Sequence, residues 1–227
     1  MKIVAIGDLH GSLPQLPPCD VVVIAGDIVP LNKERDGVES AEWFRGEFQQ
    51  WCLTLPCKKV VLIGGNHDFL LSKLLEEYTI EEVTHGLFAC DSENKIVLLH
   101  DCAYTYDGVI FYGTAWCNLP NWAFYADDKV RKEKFEQIPN CDILLTHCPP
   151  KVGTQGVVLG ESRVCGVDFG DAILAKVLAS KRVKRVVSGH IHSGDHNIER
   201  IGDTKCRNCS VKDENYEISY KPFEFEI

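Results

Sequence analysis

Five short polar clusters in the sequence contain side chains that bind metal ions or transfer protons. In chain order they read GDLH, GD, GGNHD, THCPP and GHIH, beginning at residues 7, 26, 64, 146 and 189. Imidazole, carboxylate and amide oxygen together suit borderline transition metals such as manganese, iron, zinc and cobalt. The clusters therefore offer as candidate ligands Asp8, Asp27, Asn66 and four or five of the histidines His10, His67, His147, His190 and His192.

The number of candidate ligands favours two metal ions over one. A single histidine at such a position is more often a satisfied or exposed side chain than a ligand, but burying so many unpartnered polar groups is costly. Seven ligands are too many for one tetrahedral ion and enough for two ions about 3.5–4 Å apart that share a carboxylate. Asp8 and His10 are two residues apart, as are His190 and His192, which puts each pair on one side of a strand end. The alternative, a group of uncoupled acids and bases, needs neither the asparagine nor the surplus of histidines.

Each polar cluster directly follows a short apolar run that predicts a strand buried on both faces. In open α/β sheets, ligands bind beyond the carboxyl ends of the strands, so we expect the clusters to meet at one rim. Seven such runs occur, at residues 3–6, 21–25, 60–63, 96–99, 109–112, 143–145 and 185–187.

Helical patterns lie between several of the predicted strands. Apolar residues at three- and four-residue spacing predict helices at residues 40–55, 69–78, 129–138 and 168–180. Residues 216–220 and 223–227 alternate with a period of two, which predicts an antiparallel strand pair around Pro222. The glycine-rich stretch 151–166 predicts a long surface loop, with or without a functional role. Together these elements predict a single layered α/β or α+β domain over residues 1–227.

The composition limits the partners and the compartment. Lys and Arg total 24 against 33 Asp and Glu, a net charge of −9, which argues against long nucleic acid and anionic membranes as partners. No apolar run reaches the ~18–20 residues of a membrane helix, and the N-terminus does not resemble a secretory signal. The 11 cysteines are scattered, which favours reduced packing residues and a cytoplasmic location. Only Cys206 and Cys209 have metal-like spacing, and no second pair follows them.

The ordered motifs between Asp8 and His192 resemble those of the calcineurin-like metallophosphoesterase superfamily. The HCPP motif at 147–150, the GTAW segment at 113–116 and Trp122 are similar to its metallophosphoesterase-domain-containing branch, which is linked to cyclic-nucleotide or phosphodiester hydrolysis. The resemblance implies two mixed β-sheets flanked by helices in a four-layer αββα fold. Some members of that branch lack a ligand in the last motif, whereas this chain keeps both His190 and His192.

The resemblance also implies a role for each residue of the motifs. It implies two divalent ions, Mn²⁺ first, with iron, zinc, cobalt or nickel as alternatives. His67 faces the substrate, and Asp68 either orients or polarises it or caps the helix that begins at Phe69. The implied ligands are Asp8, His10 and His192 for the first ion, Asn66, His147 and His190 for the second, and Asp27 between them.

The expected activity is hydrolysis of phosphate esters, with small phosphodiesters or nucleotides preferred, by a hydroxide bridging the two ions. His67 is then a general acid or a donor to the charged transition state. One alternative is a non-catalytic scaffold, as in a retromer-associated branch, but such a protein is expected to have lost His67 or a ligand. The other is a nuclease of the DNA-repair branch.

Two groups of side chains bear on the choice of substrate. A nuclease needs a path for a polyanionic strand, and the basic cluster 181–185 is more typical of a solvated turn. Aromatic residues after the GTAW segment could stack on a base or belong to the core. They are Trp116, Trp122, Phe124 and Tyr125.

Overall fold

Two β-sheets face each other, and helices cover the outer face of each. The computed structural model describes residues 1–160 and 163–227. Within them the first sheet has the strand order β11-β1-β2-β3-β4, in which only β11 runs antiparallel to its neighbour. Its strands are β1 (Lys2–Ile6), β2 (Val21–Ala25), β3 (Lys59–Ile63), β4 (Ile96–Leu98) and β11 (Phe223–Glu226).

The second sheet has a parallel centre and antiparallel edges. Its order is β5-β6-β7-β8-β10-β9, and the pairs from β6 to β10 are parallel. The edge strands β5 and β9 run antiparallel to their neighbours. The strands are β5 (Cys102–Tyr106), β6 (Val109–Thr114), β7 (Cys141–Thr146), β8 (Val183–Ser188), β9 (Glu199–Ile201) and β10 (Thr204–Asn208).

Alternate residues of the central strands belong to different apolar layers. Ile3 of β1 lies in the layer between the sheets, whereas Val4 packs under the helices of the first sheet. In β7, Ile143 lies between the sheets, and Leu144 packs under the helices of the second sheet. Because both faces of these strands are buried, their sequences are continuously apolar rather than alternating. The result is the four-layer αββα arrangement.

The helices pack on the outside of the two sheets. On the first sheet lie α1 (Gly37–Trp43), a π-helical turn (Phe44–Phe48), α2 (Gln49–Thr54), α3 (Phe69–Glu77) and α4 (Ile80–Leu87). On the second sheet lie α5 (Asp128–Glu136) and α6 (Ala172–Leu178). No helix within residues 1–160 and 163–227 has the length and hydrophobicity needed to cross a bilayer.

The predicted fold class is confirmed, and all seven apolar runs form strands. The predicted hairpin around Pro222 is wrong, because β11 pairs with β1 instead, with Lys2 opposite Glu226. Residues 216–220 contribute only an isolated bridge between Lys212 and Ile218. Helix α6 begins later than predicted because the side chain of Asp171 caps it. In the predicted loop 151–166, residues 161 and 162 lie outside the described residues.

Candidate metal centre

The carboxyl ends of parallel strands from both sheets bring the predicted ligands to one rim. Asp8 follows β1, Asp27 follows β2 and Asn66 follows β3 in the first sheet. His147 follows β7 and His190 follows β8 in the second sheet. Contacts between side chains then join the two sheets at this rim.

Asp8, His10 and His192 form one group of potential ligands. Nε2 of His10 and Nε2 of His192 are 3.2 Å apart, and Nε2 of His192 is 3.6 Å from Oδ1 of Asp8. All three residues are buried. Their ligand atoms lie within 4.8 Å of one another, close enough to share one ion.

Asp27 lies between this group and a second one. Its Oδ2 is 3.7 Å from Nε2 of His10, and its Oδ1 is 3.3 Å from Nε2 of His147. The amide oxygen of Asn66 is 2.8 Å from the same nitrogen of His147. The Asp27 carboxylate therefore faces both sets of imidazoles, as a bridging ligand would.

Two imidazoles are hydrogen-bonded through Nδ1, the ring nitrogen that faces away from the cluster, and this leaves Nε2 available to bind a cation. Nδ1 of His147 is 2.8 Å from the carbonyl oxygen of Ala25, and Nδ1 of His192 is 3.0 Å from that of Asp213. A neutral imidazole that donates through Nδ1 directs the lone pair of Nε2 toward the oxygens in front of it. Lone pairs then face lone pairs, and this contact is favourable only if a metal ion or a proton lies between them.

The pKa values reflect the same demand for positive charge. Burial opposes protonation of His147, but its interactions with Asp27 raise its pKa to about 10. Burial likewise opposes the charged form of Asp27, yet His147 and its neighbours hold the pKa of that carboxyl well below its usual range. Divalent ions would supply this positive charge without protons.

His190 contacts the cluster mainly through its backbone. Its N–H donates to both carboxylate oxygens of Asp8, at 2.9 Å each. Its ring lies beside that of His147, with centroids 5.1 Å apart. Among the described residues, it falls outside the three groups of His, Cys, Asp and Glu whose ligand atoms lie together. Its predicted role as a ligand therefore stays a prediction.

Four of the predicted ligands have a left-handed backbone. The φ angles are 56° at Asp8, 42° at His10, 52° at Asp27 and 74° at His190. Such conformations are strained for residues other than glycine, and they cluster at functional sites. Space is also restricted, because a Cβ on Gly189 would lie 2.3 Å from Oδ2 of Asp8.

His67 forms a further group of potential ligands with His10 and Asp27, and it has a partner that the sequence analysis missed. Its backbone N–H donates to Oδ1 of Asp27 at 2.8 Å, and its Nε2 is 3.9 Å from Oδ2 of the same residue. Its Nδ1 is hydrogen-bonded to the carboxylate of Glu34. Glu34 lies in the connection after β2, where no periodic pattern marks it.

Asp68 does not have either of its predicted partners. Its carboxylate accepts hydrogen bonds from the backbone N–H groups of Ile28, Val29 and Gly65, at 2.8–3.2 Å. It makes no capping hydrogen bond to α3, and Glu34 rather than Asp68 binds the His67 ring. Burial and the charge of Asp27 raise its pKa to about 7. Asp68 therefore joins the turns that carry Asp27 and Asn66, and its predicted catalytic role stays a prediction.

An open cleft of about 320 Å³ lies over the cluster. Trp122 of the predicted aromatic group lines it, whereas Trp116 donates to Asp101 elsewhere. Glu214 and Tyr216 were both missed, and Tyr216 was predicted to lie in a strand. The lining residues are Asp27, Asn66, His67, Leu119, Trp122, Val158, Phe169, His190, Ile191, His192, Glu214 and Tyr216.

The basic cluster 181–185 lines a different cavity, of about 800 Å³, where β7, β8 and β10 begin. Strand beginnings lie at the edge of the parallel sheet opposite the metal ligands. Nζ of Lys184 is 2.7 Å from Oδ1 of Asp142, and Nζ of Lys181 donates to the carbonyl oxygen of Glu136. These cations are thus partly paired and distant from the predicted ligands in the sheet.

Cys206 and Cys209, the pair with metal-like spacing, pack in two different apolar layers. Cys206 lies in the layer under the outer helices of the second sheet, and Cys209 lies in the layer between the sheets. Both thiols are buried, and burial raises the pKa of each to about 12. All 11 cysteines are free thiols.

The layered αββα fold carries a carboxylate–imidazole cluster at the carboxyl ends of its parallel strands, as a calcineurin-like phosphoesterase would. The chain belongs to the calcineurin-like phosphoesterase family, whose model matches residues 1–194. The resemblance predicted from the motifs is thereby confirmed.

Similar proteins agree with this assignment. A UPF0046 protein of Caenorhabditis elegans is 29% identical over 251 residues, covering 100% of this chain and 60% of the relative. The chain thus spans less than two thirds of that relative's length. Metallophosphoesterase domain-containing protein 1 of Homo sapiens is 27% identical over 243 residues, covering 100% of this chain and 71% of that protein.

Solved structures share the fold at low sequence identity. The phosphopantetheinyl hydrolase of Mycobacterium tuberculosis superposes with a TM-score of 0.54 at 15% identity, covering 95% of this chain and 90% of that one. A protein of Thermus thermophilus has a TM-score of 0.54 at 14% identity, with 91% and 88% covered. These likenesses concern the fold alone.

Proposed function

We propose that this protein is a metal-dependent phosphodiesterase that hydrolyses small phosphodiesters at a centre of two divalent ions. The observation that carries the proposal is the position of Asp27, whose two carboxylate oxygens face different imidazoles, His10 and His147. A carboxylate placed in this way can be shared by two ions about 3.5–4 Å apart.

The residues present fit two ions. Asp8, His10 and His192 would hold one, and Asn66, His147 and His190 would hold the other, with Asp27 between them. Imidazole and carboxylate ligands suit Mn²⁺, with iron, zinc, cobalt and nickel as alternatives. Divalent ions at such a site supply Lewis-acid activation of water and of phosphoryl oxygens.

The chain's own contribution to the chemistry centres on His67. Glu34 binds Nδ1 of its ring, which leaves Nε2 on the side of Asp27 and the cleft. When the ring carries a proton on both nitrogens, Glu34 balances its positive charge, and Nε2–H can donate a proton or a hydrogen bond to the oxygen of the leaving group. Imidazole suits this task because it gains and loses a proton near neutral pH.

Two alternatives have less support. A non-catalytic scaffold would not need a full set of ligands, a paired His67 and an open cleft above them. A nuclease would need cations beside the reaction site. The basic cluster 181–185 is partly paired and lines another cavity.

The direct test is turnover of bis-p-nitrophenyl phosphate by protein reconstituted with Mn²⁺. We expect hydrolysis that stops when the metal is chelated and returns when it is restored. The monoester p-nitrophenyl phosphate, assayed in parallel, is expected to react more slowly. A correctly folded, metal-loaded protein that is inactive on both esters and on cyclic nucleotides would overturn the proposal.

A further inference from the structure

The cleft over the predicted ligands has no lysine or arginine among its described lining residues. Apart from the predicted ligands and His67, the one charged group among the described lining residues is the carboxylate of Glu214, and the other described lining residues are apolar or aromatic. Positive charge would come from the metal ions alone. Such ions can neutralise one phosphate in contact with them, but not a second one several ångströms away.

One wall of the cleft is formed by Trp122. Its ring lies 4.5 Å from the ring of His67 and 6.0 Å from that of Phe69. The guanidinium of Arg35, which does not line the cleft, stacks on Phe69 at 4.1 Å, and its Nε is 3.6 Å from Glu34. It also lies over the Trp122 ring, 5.1 Å from the centroid, so this cation is engaged with two aromatic rings and a carboxylate.

Another wall comes from a segment that lies beyond the part of the chain matched by the family model. The ring of Tyr216 lies 5.0 Å from the rings of both His10 and His192. The segment is anchored, because Nζ of Lys212 donates to the carbonyl oxygen of Tyr216 at 2.6 Å. The N–H of Ser193 donates to Oε1 of Glu214 at 3.0 Å, which fixes the carboxylate at the edge of the cleft.

We propose that this cleft selects phosphoesters that carry a single phosphate and an uncharged organic group with a flat or apolar surface, and that it rejects esters with a second phosphate. This inference rests on the proposed function and narrows its substrate class. Trp122 and Tyr216 line the cleft and supply aromatic surface, with which an apolar organic group makes favourable contact. Glu214 repels further negative charge, and a volume of about 320 Å³ lies at the small end of ligand sites.

The test compares two chromogenic esters that differ by one phosphate. They are thymidine 5′-(p-nitrophenyl phosphate) and the same compound with an added 3′-phosphate, assayed on Mn²⁺-loaded protein. We expect kcat/KM to be at least about tenfold lower for the doubly phosphorylated ester at low ionic strength. The difference is expected to shrink in 0.5 M salt, since exposed charges are screened over a few ångströms there.

Variants assign the discrimination to its source. Glu214→Gln keeps an acceptor for the N–H of Ser193 and is expected to narrow the ratio between the two esters about threefold. Glu217→Gln removes an exposed charge from the same segment outside the cleft, and is expected to leave the ratio unchanged. Trp122→Ala is expected to raise KM for phenyl p-nitrophenyl phosphate more than it raises KM for methyl p-nitrophenyl phosphate.

The outcomes separate the two proposals. Turnover of both thymidine esters at equal rates, or faster turnover of the doubly phosphorylated one, would overturn the substrate class and leave the phosphodiesterase function intact. No turnover of any of these diesters by metal-loaded protein would overturn the function itself. If Glu214→Gln leaves the ratio of kcat/KM for the two thymidine esters unchanged, Glu214 does not cause the rejection of the second phosphate.

Discussion

The carboxylate of Glu34 is hydrogen-bonded to Nδ1 of His67. These residues come from different connections, one after β2 and one after β3. A carboxylate on one nitrogen of an imidazole fixes the orientation of the ring and which nitrogen carries the proton. The pair therefore fixes the His67 ring with Nε2 on the side of Asp27 and the cleft.

Replacing Glu34 tests this positioning role. We expect Glu34→Gln to lower kcat about 10- to 100-fold through a less well oriented imidazole, with the bound metal per chain unchanged. The matched control is Glu39→Gln, an exposed position of α1, which is expected to retain full kcat. Normal kcat in Glu34→Gln, or loss of metal from it, would exclude this role.

His67 and Asp27 should differ in what their removal costs. His67→Ala is expected to keep its metal and lose most of its activity, whereas Asp27→Ala is expected to lose metal as well. The reason is that Asp27 contacts His10 and His147, one imidazole of each predicted ion site, whereas His67 is 3.9 Å from Asp27 and its Nδ1 is hydrogen-bonded to Glu34. Metal content measured by mass spectrometry decides the matter, and equal loss in both variants would contradict the assignment.

Gly189 is predicted to be required for metal binding because of space. A Cβ there would come within 2.3 Å of Oδ2 of Asp8 and displace that carboxylate. We expect Gly189→Ala to weaken Mn²⁺ binding at least about tenfold. Gly86→Ala is the control, since a Cβ in that exposed turn of α4 meets nothing within 4 Å. Helix propensity predicts that this variant is more stable by about 0.5–1 kcal/mol. Equal affinity of both variants for Mn²⁺ would refute the prediction.

Metal affinity should depend on pH above neutrality. The pKa of His147 is raised to about 10 from its usual 6.5, so without metal this imidazole is protonated at pH 7–8. A metal ion must displace that proton, and affinity for Mn²⁺ is therefore expected to rise about tenfold per pH unit for each proton displaced. Calorimetry in buffers of different ionisation enthalpy measures both the affinity for Mn²⁺ and the number of protons released on binding. An affinity that is flat from pH 7 to 8, without proton release, would contradict the expectation.

Removing the Asp68 side chain should lower the free energy of unfolding. Asp68→Ala leaves three buried N–H groups unsatisfied, those of Ile28, Val29 and Gly65, and we expect unfolding to need about 3–5 kcal/mol less free energy. Urea denaturation measures this difference. For comparison, Asp36→Ala removes an exposed helix cap and should cost about 1 kcal/mol. Similar losses in both variants would mean that Asp68 contributes no more than a surface cap.

The ligand cluster could be predicted from sequence because its signal is local. Each apolar strand ends in a polar motif, and parallel strands carry their motifs to the same rim. Glu34 and Tyr216 could not be predicted in this way, since each reaches the site through a long-range contact from a segment without a functional motif. The pairing of β11 with β1 was missed for a related reason: alternation identifies a strand but not its partner.

The left-handed backbone at Asp8, His10, Asp27 and His190 sets stability against activity at the same positions. Glycine adopts such φ angles without steric cost, so a glycine at one of these positions would relieve about 1–2 kcal/mol of strain. The same change would remove a candidate ligand. Directed evolution for heat resistance without a screen for turnover is therefore expected to replace these four residues first. The selected variants would be more stable and would lack candidate metal ligands.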